Sequence, residues 1–102
     1  MKINILIVDD NNDFTAQLRS LFDAAPDMSV VGTAGDGEQA TEMFNRLSPD
    51  LVILDLVMPK KDGFGFMQSI NMGNSKILVL SALSKDVFIS KALECGADYY
   101  MR

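Results

Sequence analysis

Three short runs in this chain are apolar on nearly every residue, and each stops at a polar group. Ile3-Asn4-Ile5-Leu6-Ile7-Val8 runs into Asp9-Asp10, Leu51-Val52-Ile53-Leu54 into Asp55, and Ile77-Leu78-Val79-Leu80 into Ser81. Runs this short, rich in β-branched residues and without a polar face, read as strands covered on both sides of a sheet. Between them the period changes to that of a helix. Phe14, Leu18, Leu21 and Phe22 form one apolar stripe, and Ala40, Met43, Phe44 and Leu47 a second. Phe66, Met67 and Ile70 form a weaker third, and Phe88, Ile89, Ala92 and Leu93 a fourth. Met28 to Ala34 and Asp98 to Arg102 supply two more strands. Strand alternating with helix predicts a parallel α/β sheet with helices on both faces and right-handed crossovers.

The punctuation agrees with this alternation. Asn11, Asn12 and Asp13 offer cap chemistry before the first helix, and Pro26 closes it. Asp36, inside the turn Gly35-Asp36-Gly37, can cap the second helix with Gln39 as its capping-box partner, and Ser48-Pro49 stops that helix. Gly73-Asn74 is expected to break the third helix. Ser84 is expected to cap the fourth, with Gly96 at its C′ position.

Composition narrows the function classes. A net charge of −5 argues against direct nucleic-acid binding, which needs clustered Lys and Arg, and gives no attraction to an anionic membrane. No apolar run reaches the roughly 20 residues of a membrane span. One cysteine, Cys95, cannot form an internal disulfide and fits a reducing, cytoplasmic setting. The absence of histidine removes imidazole acid/base chemistry and imidazole metal ligation from this chain.

What remains is carboxylate chemistry. In an open α/β sheet, ligands bind beyond the carboxyl ends of the strands, where the strand order reverses. With the order 2-1-3-4-5, one of the two common doubly wound arrangements, the first and third strands are neighbours there. Asp10 and Asp55 then face each other, with Ser81 beside them. Clustered carboxylates repel, so they raise a pKa or recruit a cation. Oxygen ligands without His or Cys suit Mg²⁺ (or Mn²⁺). One carboxylate can then serve as a nucleophile and form an aspartyl-phosphate. Taken singly, an Asp at a strand end is usually a cap or a solvated loop residue, and Ser is common in such places. Their joint occurrence at three strand ends carries the reading.

The motifs Ile7-Val8-Asp9-Asp10-Asn11, Leu54-Asp55-Leu56-Val57-Met58-Pro59-Lys60-Lys61-Asp62-Gly63, Leu80-Ser81-Ala82 and Ala92-Leu93-Glu94-Cys95-Gly96-Ala97-Asp98-Tyr99 resemble those of response-regulator receiver domains. The resemblance runs the length of the chain and leans toward the receivers of regulators that initiate sporulation. It implies a flavodoxin-like, doubly wound five-stranded sheet over residues 1–102. Asp55 would be the phosphoacceptor, and Asp9, Asp10, Asp55 and the backbone carbonyl of Val57 the Mg²⁺ ligands. Ser81 would be the switch hydroxyl and Tyr100 the switch aromatic, whose plain alternative is a half-buried strand tyrosine. Val57 and Leu83 would flank the path of the water that removes the phosphoryl group. Both are apolar, so slow self-dephosphorylation is expected. The implied partners are a histidine kinase or histidine phosphotransfer protein and a C-terminal DNA-binding output domain.

One departure stands out. The family carries a Lys just after the fifth strand and then a final helix, and in this sequence both are absent. Arg102 falls one position early, and Lys60 and Lys85 do not match the motif. Residues 1–102 are therefore read as a C-terminally truncated receiver, with an uncovered apolar flank that favours dimerisation or domain swapping.

Rival readings fit less well. A flavin site would need a Gly- and hydroxyl-rich loop where Asp9-Asp10-Asn11-Asn12-Asp13 stands. A haloacid-dehalogenase-type phosphatase would need a second Asp at position 57, which is Val. A receiver used only for protein interaction, never phosphorylated, is the closer alternative.

Overall fold

The computed structural model describes residues 2–83 and 85–101. Five strands, β1 (Ile3–Val8), β2 (Met28–Ala34), β3 (Leu51–Leu54), β4 (Lys76–Leu80) and β5 (Tyr99–Met101), alternate with four helices among the described residues. The helices are α1 (Asn12–Asp23), α2 (Gly37–Leu47), α3 (Gly63–Ser69) and α4 (Asp86–Glu94). All strand pairs are parallel, as the sequence pattern predicts, and the order is β2-β1-β3-β4-β5, as the family resemblance implies. No helix among the described residues is long and apolar enough to cross a membrane.

The apolar runs become the two buried faces of the sheet. Leu6, Val8, Val52, Leu54, Ile77 and Val79 point to one face and pack with Ala40 and Phe44 of α2, Phe64, Phe66 and Met67 of α3, and Ala92 of α4. Phe44 and Phe66 meet edge-on, their centroids 6.0 Å apart at 80°, the geometry that the ring quadrupoles favour. Ile5, Ile7, Val30 and Ile53 point to the other face, against Leu18 and Phe22 of α1. Leu21, placed in the same stripe by spacing, is 66% exposed. The face of α1 that meets the sheet is narrower than the pattern implied. β5 carries Tyr99 and Met101 in register with Leu78 and Leu80, and these two β5 residues are 60% and 55% exposed.

Local capping follows the expected chemistry in most places. Asn11 Oδ1 accepts the Phe14 N–H at 3.0 Å, and Asp36 Oδ1 accepts the Gln39 N–H at 2.8 Å. The Gln39 side chain reaches back past the cap itself and accepts the Gly35 N–H at 2.9 Å. At the end of α4 the Gly96 N–H bonds Leu93 O and the Ala97 N–H bonds Ala92 O, with Gly96 at φ +113°. This is the Schellman closure that glycine permits. Two details differ. Ser84 lies outside the described residues, and the cap position of α4 is Lys85, which makes no side-chain cap bond. The third helix also ends at Ser69, ahead of Gly73-Asn74, with Ile70 extended at φ −114° and ψ 155°. There Ile70 packs against the core. Asn71 Oδ1 takes the Gly73 N–H at 3.3 Å, a local side-chain turn that competes with the helix.

Candidate functional site

The site lies where the order of the sheet reverses, at the carboxyl ends of β1 and β3. Two main-chain bonds continue the ladder past the strands and fix the acidic residues beside one another. The Asp9 N–H donates to Ala34 O at 2.9 Å, and the Asp55 N–H donates to Val8 O at 2.9 Å. The carboxylates of Asp9, Asp10 and Asp55 each present an oxygen within 4.8 Å of the others. Asp10 is exposed, and Asp9 and Asp55 are partly buried.

The electrostatics follow from that crowding. Burial is the largest influence on Asp55 and raises its pKa. The Val57 N–H opposes the rise, while the charges of Asp9 and Asp10 add to it. Asp9 is raised for the same leading reason, opposed by the Asn11 N–H, with Asp10 adding repulsion. One oxygen of each carboxylate already accepts a backbone N–H: Asp9 Oδ1 from Asn11 at 2.9 Å, and Asp55 Oδ1 from Val57 at 3.3 Å. The Leu56 N–H also favours the charged form of Asp55.

The donor set fits a hard divalent cation. It consists of carboxylate oxygens from separate strands, converging on one point, with no softer ligand beside them. Such a set is unfavourable while it holds only its own charge, and favourable once a small cation is shared.

Ser81 directly follows β4. Its N–H bonds Met101 O at 3.0 Å, and the residue is 5% exposed. Ser81 Oγ accepts the Leu83 N–H at 3.3 Å, so its own proton remains free to donate. The Tyr100 hydroxyl donates to the Leu83 carbonyl. Leu83 is thus held from both sides, through its main chain, by the two residues expected to act as switch. Sequence reading assigned Leu83 only a side-chain role. No local signal marks a residue whose backbone is shared between two distant hydroxyls. Lys60 pairs with Asp36, Nζ to Oδ2 at 3.8 Å, and makes no ion pair with the acidic cluster among the described residues.

A family model for the response regulator receiver domain matches residues 5–102. Solved structures agree. The response regulator domain of Thermotoga maritima CheB is 31% identical and superposes with a TM-score of 0.92, covering 99% of this chain and 78% of that one. A LuxR-family two-component response regulator from Aurantimonas sp. is 29% identical with a TM-score of 0.90, covering 98% and 73%. A chain of the CheX–CheY–BeF3–Mg complex from Borrelia burgdorferi is 31% identical with a TM-score of 0.86, covering 97% and 76%.

Proposed function

The chain belongs to the response regulator receiver domain family, and from that premise we propose that it accepts a phosphoryl group on Asp55 and converts it into a conformational signal. The observation that carries this reading is the convergence of Asp9, Asp10 and Asp55 within 4.8 Å, with the buried Ser81 directly following β4, the strand paired with β3. The similarity to a chain solved with BeF3 and Mg supports it.

The residues divide the work. Asp9, Asp10 and Asp55, with the Val57 carbonyl, would hold Mg²⁺ or Mn²⁺. When bound, that ion would supply charge neutralisation for the carboxylates and for an incoming phosphoryl group. Asp55 Oδ1 stays fixed by the Val57 N–H, and the other oxygen attacks phosphorus. The chain has no histidine of its own, so the phosphoryl group comes from a phosphohistidine on a kinase or phosphotransfer protein. The P–N bond breaks as the O–P bond forms, and the electron pair leaves with the imidazole. Positioning supplies most of the acceleration. The aspartyl-phosphate adds charge and acceptor oxygens. The Ser81 hydroxyl turns toward them and releases Leu83, whose carbonyl Tyr100 holds. The β4–α4 loop and β5 then share one two-state movement. Val57 and Leu83 offer no group to orient an attacking water, so the signal is long-lived.

The output we infer is transcription of the sporulation type, through a C-terminal DNA-binding domain and in the cytoplasm. The motif resemblance and the likeness to a LuxR-family regulator support it. Incubation with Mg²⁺ and acetyl phosphate, followed by intact mass, tests the phosphoacceptor. A gain of one phosphoryl group that is absent in Asp55→Ala is expected. No gain in the parent would favour a receiver that acts purely by protein contact.

A further inference from the structure

We propose that Gly37, on the first turn of α2, is a positioning residue for the cation site: it lets the β3–α3 loop dock against α2 and so sets where the Val57 carbonyl lies. The inference rests on the reading of that carbonyl as a ligand.

The loop from Val57 to Asp62 is pinned on both sides of its exposed start. The Gly63 N–H bonds Leu56 O at 3.0 Å, just before Val57. The Gly37 N–H bonds Lys61 O at 2.8 Å, a few residues after it. Met58 is buried between them, while Val57 itself is 59% exposed. Val57 is therefore placed by these two pins and by its own N–H bond to Asp55 Oδ1, and not by side-chain packing.

Conformational freedom does not explain a glycine at position 37, because its φ lies outside the left-handed region. Space does. A Cβ there would sit 2.2 Å from Lys61 O and 2.7 Å from Lys61 C. These are main-chain atoms, which cannot rotate away as a side chain could. Ordinary contact begins at 3.4 Å, so any side chain would drive the loop outward by at least an ångström. The nearby Asp36–Lys60 pair is a weaker pin. Its separation is 3.8 Å and the lysine is largely exposed, and such pairs contribute little.

Gly35 provides a matched control. It lies two residues earlier in the same turn, and a Cβ there meets nothing within 4 Å. Residues that orient a metal ligand typically alter affinity by 10–100-fold when changed. Gly37→Ala is therefore expected to bind Mg²⁺ about tenfold more weakly, at the low end of that range. Gly35→Ala is expected to match the parent. Both are measured by calorimetry, with melting in EDTA showing that each variant is folded.

Coupling between sites is reciprocal. In the parent protein, saturating Mg²⁺ should therefore slow hydrogen exchange at the Gly37 amide severalfold. This measurement needs no variant, so it decides the matter even if Gly37→Ala fails to fold. Undiminished Mg²⁺ affinity in folded Gly37→Ala, or Gly37 exchange indifferent to Mg²⁺ while the Asp10 and Asp55 amide signals shift, would overturn the inference and leave the cation site standing. A parent that binds no Mg²⁺ would overturn both.

Discussion

Replacing Asp55 by Asn should stabilise this protein at neutral pH in the absence of divalent ions. Asp55 shares its site with Asp9 and Asp10, each with an oxygen within 4.8 Å. At that separation two unit charges repel by about 1 kcal/mol in water and about 3.5 kcal/mol at an effective dielectric of 20. The group is only partly buried, so solvent screening places each pair near the lower figure. Two neighbours then give about 1–2 kcal/mol. Asn keeps the shape and can still accept the Val57 N–H. For a domain of this size, that gain corresponds to a rise in Tm of about 5–10 °C.

The pH dependence has a definite sign. Burial and the neighbouring carboxylates raise the folded pKa of Asp55 above its ordinary value. Its favourable contribution is complete below the unfolded pKa and is lost as pH rises through the folded one. The advantage of Asp55→Asn should therefore be absent in acid, where Asp55 is protonated. It should open as pH rises past the ordinary carboxylate value and level off above the raised folded pKa. Mg²⁺ should close the gap again, because a ligand of the native state stabilises the parent by mass action. Thermal melts followed by circular dichroism across that range, in EDTA and in Mg²⁺, give the comparison. A variant that melts at or below the parent at neutral pH in EDTA, or whose advantage persists undiminished in acid, would refute the reasoning.

Other consequences are quicker to state. Tyr100→Phe removes the donor to the Leu83 carbonyl and should cost about 1 kcal/mol in chemical denaturation; a cost near zero would mean the bond contributes nothing. Val57→Asn or Leu83→Glu should shorten the lifetime of phospho-Asp55, measured by loss of the phosphoryl mass, and unchanged decay would defeat the proposed lack of water orientation. Phe66→Ala, at a fully buried position facing Phe44, should cost about 3–5 kcal/mol, enough to leave much of a marginally stable domain unfolded.

The fold was legible because its central strands, β1, β3 and β4, are largely buried on both faces, which leaves a local signature that needs no partner to interpret. The polar residues that end those strands were legible for the same reason: Asp9, Asp10, Asp55 and Ser81 interrupt runs that are otherwise apolar. What the pattern missed depends on tertiary contact or on side-chain competition. The early end of α3 turns on the Asn71 side chain taking the Gly73 N–H. Asp98 was read as the start of a strand. It precedes β5 and clamps β4 instead: its carboxylate accepts the Ile77 N–H at 2.8 Å while its own N–H bonds Ile77 O at 2.9 Å. The docking of Gly37 on Lys61 joins segments far apart in sequence, and glycine in a turn gives no hint that a carbonyl will approach it.

The account depends on one divalent ion being shared by side chains from β1 and β3. Calorimetric titration of the parent and of Asp10→Asn with Mg²⁺ tests this most directly. One ion bound per chain by the parent, with binding weakened severely in the variant, is the predicted result. Equal binding by both proteins, or none by the parent, would contradict it.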